Sequence, residues 1–133
     1  MTSCLIYFCA PDPRRDLIRA LADLTGLPVD SEQFVYTLGH DELYVSINLN
    51  EEAVEPGQPI TPGAYRELPY YVDLSADDWE DEQLLPYARS ILSYFWERGL
   101  VAVAECSFEE DLPDNGGQSK NDFAWPPVGI PYS

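Results

Sequence analysis

Positive charge is scarce in this chain. Its 133 residues carry 7 Lys+Arg and one histidine against 24 Asp+Glu, a formal charge of −17 with the histidine neutral. Free DNA and RNA are thereby excluded as partners, since binding a polyphosphate needs cations that release its counterions. Docking on an anionic membrane face is excluded for the same reason. Long hydrophobic runs are also missing. The N-terminal apolar stretch has no basic residue ahead of it and stops at Pro11. That is too short for a signal peptide or a membrane span, so the protein is expected to stay in the cytoplasm. Metal-binding patterns are absent: there is no Cys-x-x-Cys, no His-x-x-x-His and no Asp-x-Asp-x-Asp-Gly loop closed by a glutamate. Gly116-Gly117 lacks the spacing and the Lys-Ser/Thr of a phosphate loop. No cofactor or metal is implied.

Apolar material is plentiful. At 45% hydrophobic and 13% aromatic, the chain is too apolar to be disordered despite its charge, and its length suits one domain with one core. Of its three cysteines, Cys4 and Cys9 fall in one presumed strand at positions of opposite parity, facing opposite sides of a sheet. Cys106 stands alone far downstream. Three reduced, mostly buried thiols are expected.

Residues 3–10 read as a buried strand closed by Pro11 and Pro13. A helix follows, with Asp12 as its cap, Pro13 at its first position, Gly26 as its stop, and Leu17, Ile18, Leu21 and Leu24 as its apolar stripe. Residues 34–38 form a short β candidate ending in Gly39-His40-Asp41. Residues 43–49 alternate cleanly, so the two read as a hairpin. Residues 50–67 hold three prolines and two glycines and read as a long surface loop before a fourth strand at 68–74. The second helix carries the stripe Leu84, Ala88, Ile91, Leu92 and Phe95 and stops at Gly99. Pro86 requires it either to begin near 83–85 or to kink there. Residues 100–108, apolar on both faces, read as another central strand, with the first and last strands as neighbours.

The order β-α-β-β-β-α-β predicts a single-domain α+β two-layer sandwich: a mostly antiparallel sheet of about five strands with two helices on one face. Residues 1–108 form that domain. Residues 109–133, with four prolines and three glycines, read as an irregular tail, acidic then Pro/Gly-rich, anchored by Phe123, Trp125 and Tyr132.

If both helices cover one face, parity turns Tyr44, Ser46, Asn48, Tyr71, Asp73, Val101, Val103 and Glu105 to the other. Tyrosines, amides and carboxylates there suit a recognition surface. The alternative is a sheet face covered by the long loop or the tail. Catalytic chemistry has little to draw on. A small enzyme would have to use His40, beside Asp41, with Cys106 or Cys9 as its nucleophile, and the bland reading of His40 is a solvated turn residue. The run 77–82 could attract a divalent cation loosely, but such runs are more often solvated or partner-facing.

Three acidic stretches stand out: Asp41, Glu42, Glu51, Glu52 and Glu55; Asp73 to Glu82; and Glu105, Glu109, Glu110, Asp111 and Asp114. Self-repulsion on this scale lowers stability, and a basic partner would explain it. Opposite potentials also speed encounter, which suits rapid capture of a basic nuclease by carboxylates placed where phosphates would lie. The partner-facing set is Tyr44, Glu51, Glu52, Glu55, Tyr71, Asp73, Asp77, Asp78, Trp79, Glu80, Asp81, Glu82, Glu109, Glu110, Asp111 and Asp114, with Tyr44, Tyr71 and Trp79 as aromatic anchors.

Residues 100–117 read Leu-Val-Ala-Val-Ala-Glu-Cys-Ser-Phe-Glu-Glu-Asp-Leu-Pro-Asp-Asn-Gly-Gly, after an amphipathic helix and a glycine stop. This stretch resembles the closing strand and acidic loop of small acidic bacterial immunity proteins of polymorphic toxin systems. With the helix before it, the resemblance covers under a third of the chain. It implies a cytoplasmic, non-enzymatic antitoxin that binds one cognate toxin domain, with Glu109, Glu110, Asp111 and Asp114 turned outward. A nucleic-acid mimic directed at a host or phage defence protein is the second expectation among binding proteins.

Overall fold

In the computed structural model, which describes residues 1–32, 36–40, 42–120, 122 and 123, buried and open side chains alternate along β1 (Thr2–Phe8). This strand pairs antiparallel with β5 (Tyr70–Ala76) on one side and β6 (Ala102–Cys106) on the other. β4 (Leu43–Leu49) continues the sheet beyond β5, followed by β3 (Tyr36–His40) and β2 (Val29–Ser31), giving the order β2-β3-β4-β5-β1-β6 with every neighbouring pair antiparallel. The sheet is open, and the fold is α+β as its sequence predicts.

The short β2 is the strand the sequence reading missed. It offers three largely polar residues with Val29 exposed, so no apolar alternation announces it. A short, charged strand is a common way to end a sheet.

Helices α1 (Arg14–Thr25) and α2 (Asp81–Glu97) both pack on one face of the sheet, α1 over β3 and β4, α2 over β1, β5 and β6. Between helices and sheet lies a core that includes Ile6, Phe8, Leu17, Leu21, Val45, Ile47, Val72, Leu74, Ile91 and Phe95. Phe8 stacks between Phe95 of α2, at 4.4 Å, and Tyr70 of β5, at 5.5 Å. These rings tie the helix layer to the centre of the sheet.

The helix ends differ in detail from expectation. Pro13, not Asp12, occupies the cap of α1. Its carbonyl accepts from the amides of Asp16 and Leu17, and no side chain caps the helix. Leu24 is exposed rather than part of the buried stripe. Gly26 does close the helix in the left-handed conformation, φ 75°. α2 begins at Asp81, two residues before the expected start, because Glu80 and Gln83 exchange the reciprocal bonds of a capping box. Pro86 therefore sits in the second turn on the exposed side, leaving the carbonyl one turn back to solvent.

β6 is an edge strand, not a central one. It is apolar on both faces because its free edge is covered from outside the sheet. Trp96 Nε1 donates to the Ala102 carbonyl at 2.9 Å, Gln118 Nε2 to the Ala104 carbonyl at 3.1 Å, and the Cys106 amide to Glu109 at 3.0 Å. Residues 113–117 pass against this edge so closely that a Cβ on Gly117 would lie 2.7 Å from the Ala102 carbonyl oxygen. The Gly-Gly pair is thus required by backbone contact. The first part of the expected tail folds back here, with Leu112, Gly116 and Gly117 buried. Phe123 packs 6.4 Å from Trp96. Phe34, Asp41, Trp125 and Tyr132 lie outside the described residues.

Candidate functional site

The face away from the helices is built by strand parity. Tyr44, Ser46 and Asn48 of β4, Tyr71, Asp73 and Ser75 of β5, and Ser3, Leu5 and Tyr7 of β1 share it, in the register Tyr71 across from Tyr7 and Asn48, and Asp73 across from Leu5 and Ser46. Val101, Val103 and Glu105 lie on the same side, as expected.

The covering expected of the long loop is seen at one end of this face, and the remainder is open. At the end where β1 runs out, the loop between β4 and β5 folds over the sheet. Ile60 and Leu68 are buried against Cys9 and Val101, with Tyr7, Val54, Ala64, Tyr65 and Phe123 around them. The rest stays open: Tyr44 is 47% exposed, and Ser46, Asn48, Tyr71 and Asp73 are half-buried.

Asn50 and Arg66 hold the loop in place. The Asn50 amide donates to the Arg66 carbonyl at 2.8 Å and to the Leu68 carbonyl at 2.7 Å, while its oxygen accepts from the Glu52 amide at 3.1 Å. Arg66 is bidentate on Glu105 and lies over the Tyr65 ring. Neither residue stood out in the sequence. An asparagine at a strand end signals only a turn there, and Arg66 and Glu105 are far apart along the chain.

Where the folded loop meets the open face it leaves a cleft of about 530 Å³, with Leu5, Tyr7, Tyr71 and Asp73 as floor and Glu51 and Glu52 on its rim. Tyr7 and Tyr71 lie 6.0 Å apart, centroid to centroid. Burial pushes the Asp73 carboxyl above its ordinary pKa, and no cation among the described residues offsets this. Burial, then the charge of Glu105, likewise raises the Tyr7 phenol.

The expected partner-facing residues divide between the open face with its cleft and the acidic turns around the start of α2, Tyr44 lying at the latter end of the sheet, across from Ser75. Tyr44, Tyr71 and Asp73 lie on the open face, with Glu51 and Glu52 at the cleft and Glu55 exposed in the loop beyond. The other two acidic stretches meet at the far end, where Asp81, Glu82 and Asp111 line a smaller cleft of about 180 Å³ beside Ser107 and Phe108. Asp77, Asp78, Glu80, Asp81, Glu82, Glu110, Asp111 and Asp114 are exposed there.

Several of these residues also serve the fold. Asp81 accepts from Thr2 at 2.6 Å and from Ser107 at 3.1 Å. Glu80 caps α2, and Glu109, half-buried, takes the Cys106 amide. Trp79 is half-buried, 5.9 Å from Tyr87 and packed on the core, so its ring supports the start of α2. Ion pairs among the described residues join Arg19 to Glu32, Arg66 to Glu105 and Lys120 to Asp122. None of these acids belongs to the partner-facing set.

His40 stands on a separate strand from the cysteines considered with it. β3, with His40, and β6, with Cys106, stand four positions apart in the sheet, about 19 Å at ordinary strand spacing. Cys9 follows β1 at the end of the sheet away from His40, and burial raises its thiol to about 11. Among the described residues no group of three His, Cys, Asp or Glu side chains could hold a metal ion, and no helix is long and apolar enough to cross a membrane. No family model, no curated protein and no solved structure matches the chain.

Proposed function

We propose that this chain is an immunity protein, an antitoxin that acts in the cytoplasm by binding a cognate basic toxin domain stoichiometrically rather than by catalysis. The observation that carries the reading is Asp73, a half-buried carboxylate with no cationic partner among the described residues, set on an open sheet face beside Tyr7 and Tyr71. A desolvated charge without a partner is costly in the isolated protein and is offset when an opposite charge arrives. The tyrosines around it give apolar area with hydrogen-bonding tips at low entropic cost. Glu51 and Glu52 on the rim, and the acids at the far end of the sheet, add the long-range field that would steer a basic protein toward the chain.

Affinity capture from the native cell with the tagged chain, followed by sizing of the complex, tests the proposal. A one-to-one complex with a basic toxin, weakened by Asp73→Asn and Tyr71→Ala, supports it. A basic defence protein whose nucleic-acid site is occluded would move the reading to a nucleic-acid mimic. Turnover of a substrate that requires Cys106 or His40 would overturn both.

A further inference from the structure

Cys4 and Cys106 are 102 residues apart in the sequence, yet the register puts them directly opposite each other on β1 and β6. The Cys9 amide donates to the Val101 carbonyl at 3.2 Å, which fixes the alternation of hydrogen-bonded and non-hydrogen-bonded pairs along the ladder. Counting from there, Cys4 and Cys106 form a non-hydrogen-bonded pair, consistent with the Cys106 amide turning outward to Glu109. Such pairs have the closer backbones, with Cα atoms about 4.5 Å apart and side chains on one face. That spacing lies inside the range a disulfide spans, about 4.4–6.8 Å. Both cysteines lie on the helix side of the sheet, thiol beside thiol.

We infer that Cys4 and Cys106 are a dithiol site that closes reversibly to a disulfide, fastening edge strand β6 and the acidic turn after it to β1. Access is one-sided, as a two-step exchange requires. Cys4 is 1% exposed, whereas Cys106 is half-buried and ends β6 just before the exposed Ser107. Cys106 is thus the sulfur that an incoming disulfide reaches first, as the attacking group must be.

With a low-molecular-weight disulfide as oxidant, the Cys106 thiolate attacks one of its sulfurs, forms a mixed disulfide and expels one thiol. Cys4 then gives up its proton and attacks the Cys106 sulfur, expelling the second thiol. Two protein thiols are oxidised by two electrons, and the small disulfide is reduced to two thiols that take up the two protons. The bond forms on the helix side of the sheet, away from the Asp73 cleft, so it stands apart from the proposed binding function.

Treatment of the full chain with oxidised glutathione, followed by alkylation, intact mass and peptide mapping, tests the inference. The expected result is loss of two of the three titratable thiols, a mass lower by two hydrogens, a linked peptide joining residues 4 and 106, and reversal by dithiothreitol. Cys106→Ser at its half-buried position abolishes the link, while Cys9→Ala leaves it. A glutathione adduct on Cys106 that never resolves, a link that includes Cys9, or no change in mass would overturn it.

Discussion

The side chain of Asn50 reaches across the mouth of an eighteen-residue excursion to the carbonyl of Leu68, at 2.7 Å, and so fixes where the loop between β4 and β5 lands on the sheet. Without that clasp, Ile60 and Leu68 would have no defined seat against Cys9 and Val101.

Asn50→Ala leaves the Arg66 and Leu68 carbonyls without their side-chain donor, and an unsatisfied buried group costs about 1–3 kcal/mol. Urea unfolding is expected to show a loss of that size. Amide exchange is expected to rise across residues 50–67 before it rises in the core.

Gly117→Ala is expected to destabilise the fold by at least about 1 kcal/mol, since its backbone is left-handed. At φ 98° the new Cβ would also press on the Ala102 carbonyl at 2.7 Å. Thermal unfolding measures this directly. Gly57, also left-handed but with nothing near its Cβ position, is the control: Gly57→Ala is expected to cost less.

Asp73 gives a pH dependence with a definite sign. Its folded-state pKa is raised above the ordinary 3.8 by burial, so the folded state favours the protonated form. The burial penalty is absent below the ordinary value, grows as pH rises through the raised one, and is complete above it. Asp73→Asn is therefore expected to stabilise the isolated protein at neutral pH and to lose that advantage below about pH 4. Unfolding midpoints of both proteins across pH 3 to 7 check it. Greater stability together with weaker partner binding would mark a residue kept for function rather than for the fold.

Salt dependence separates steering from contact. Association with the partner is expected to slow markedly between about 50 and 500 mM salt while dissociation changes less. Stopped-flow rates at the two concentrations measure it.

Much of this architecture is legible in the letters because period-two alternation is strong where one sheet face is buried. Leu43, Val45 and Ile47 point inward and Tyr44, Ser46 and Asn48 outward, as parity requires, and the stripe from Leu84 to Phe95 faces the sheet. The misses have physical causes. β2 is too short and polar to carry a period. An apolar run in residues 101–104 signals burial on both sides, and a covering segment at the edge of a sheet buries as well as a neighbouring strand does. The open face was readable, but the cleft was not, because it depends on where a proline-rich loop is clasped by Asn50 and Arg66. The meeting of Cys4 with Cys106 is a matter of strand order, which local pattern does not encode.

The proposed function has the open face receive a basic protein at Asp73. Its most direct test is calorimetric titration of the purified partner into the wild-type chain, Asp73→Asn, Tyr71→Ala and a variant with Glu110 and Asp111 both changed to Gln. One-to-one binding is expected, with the two open-face substitutions each weakening affinity at least tenfold, about 1.4 kcal/mol, and the distant pair weakening it far less. Unchanged affinity in both open-face variants would contradict it.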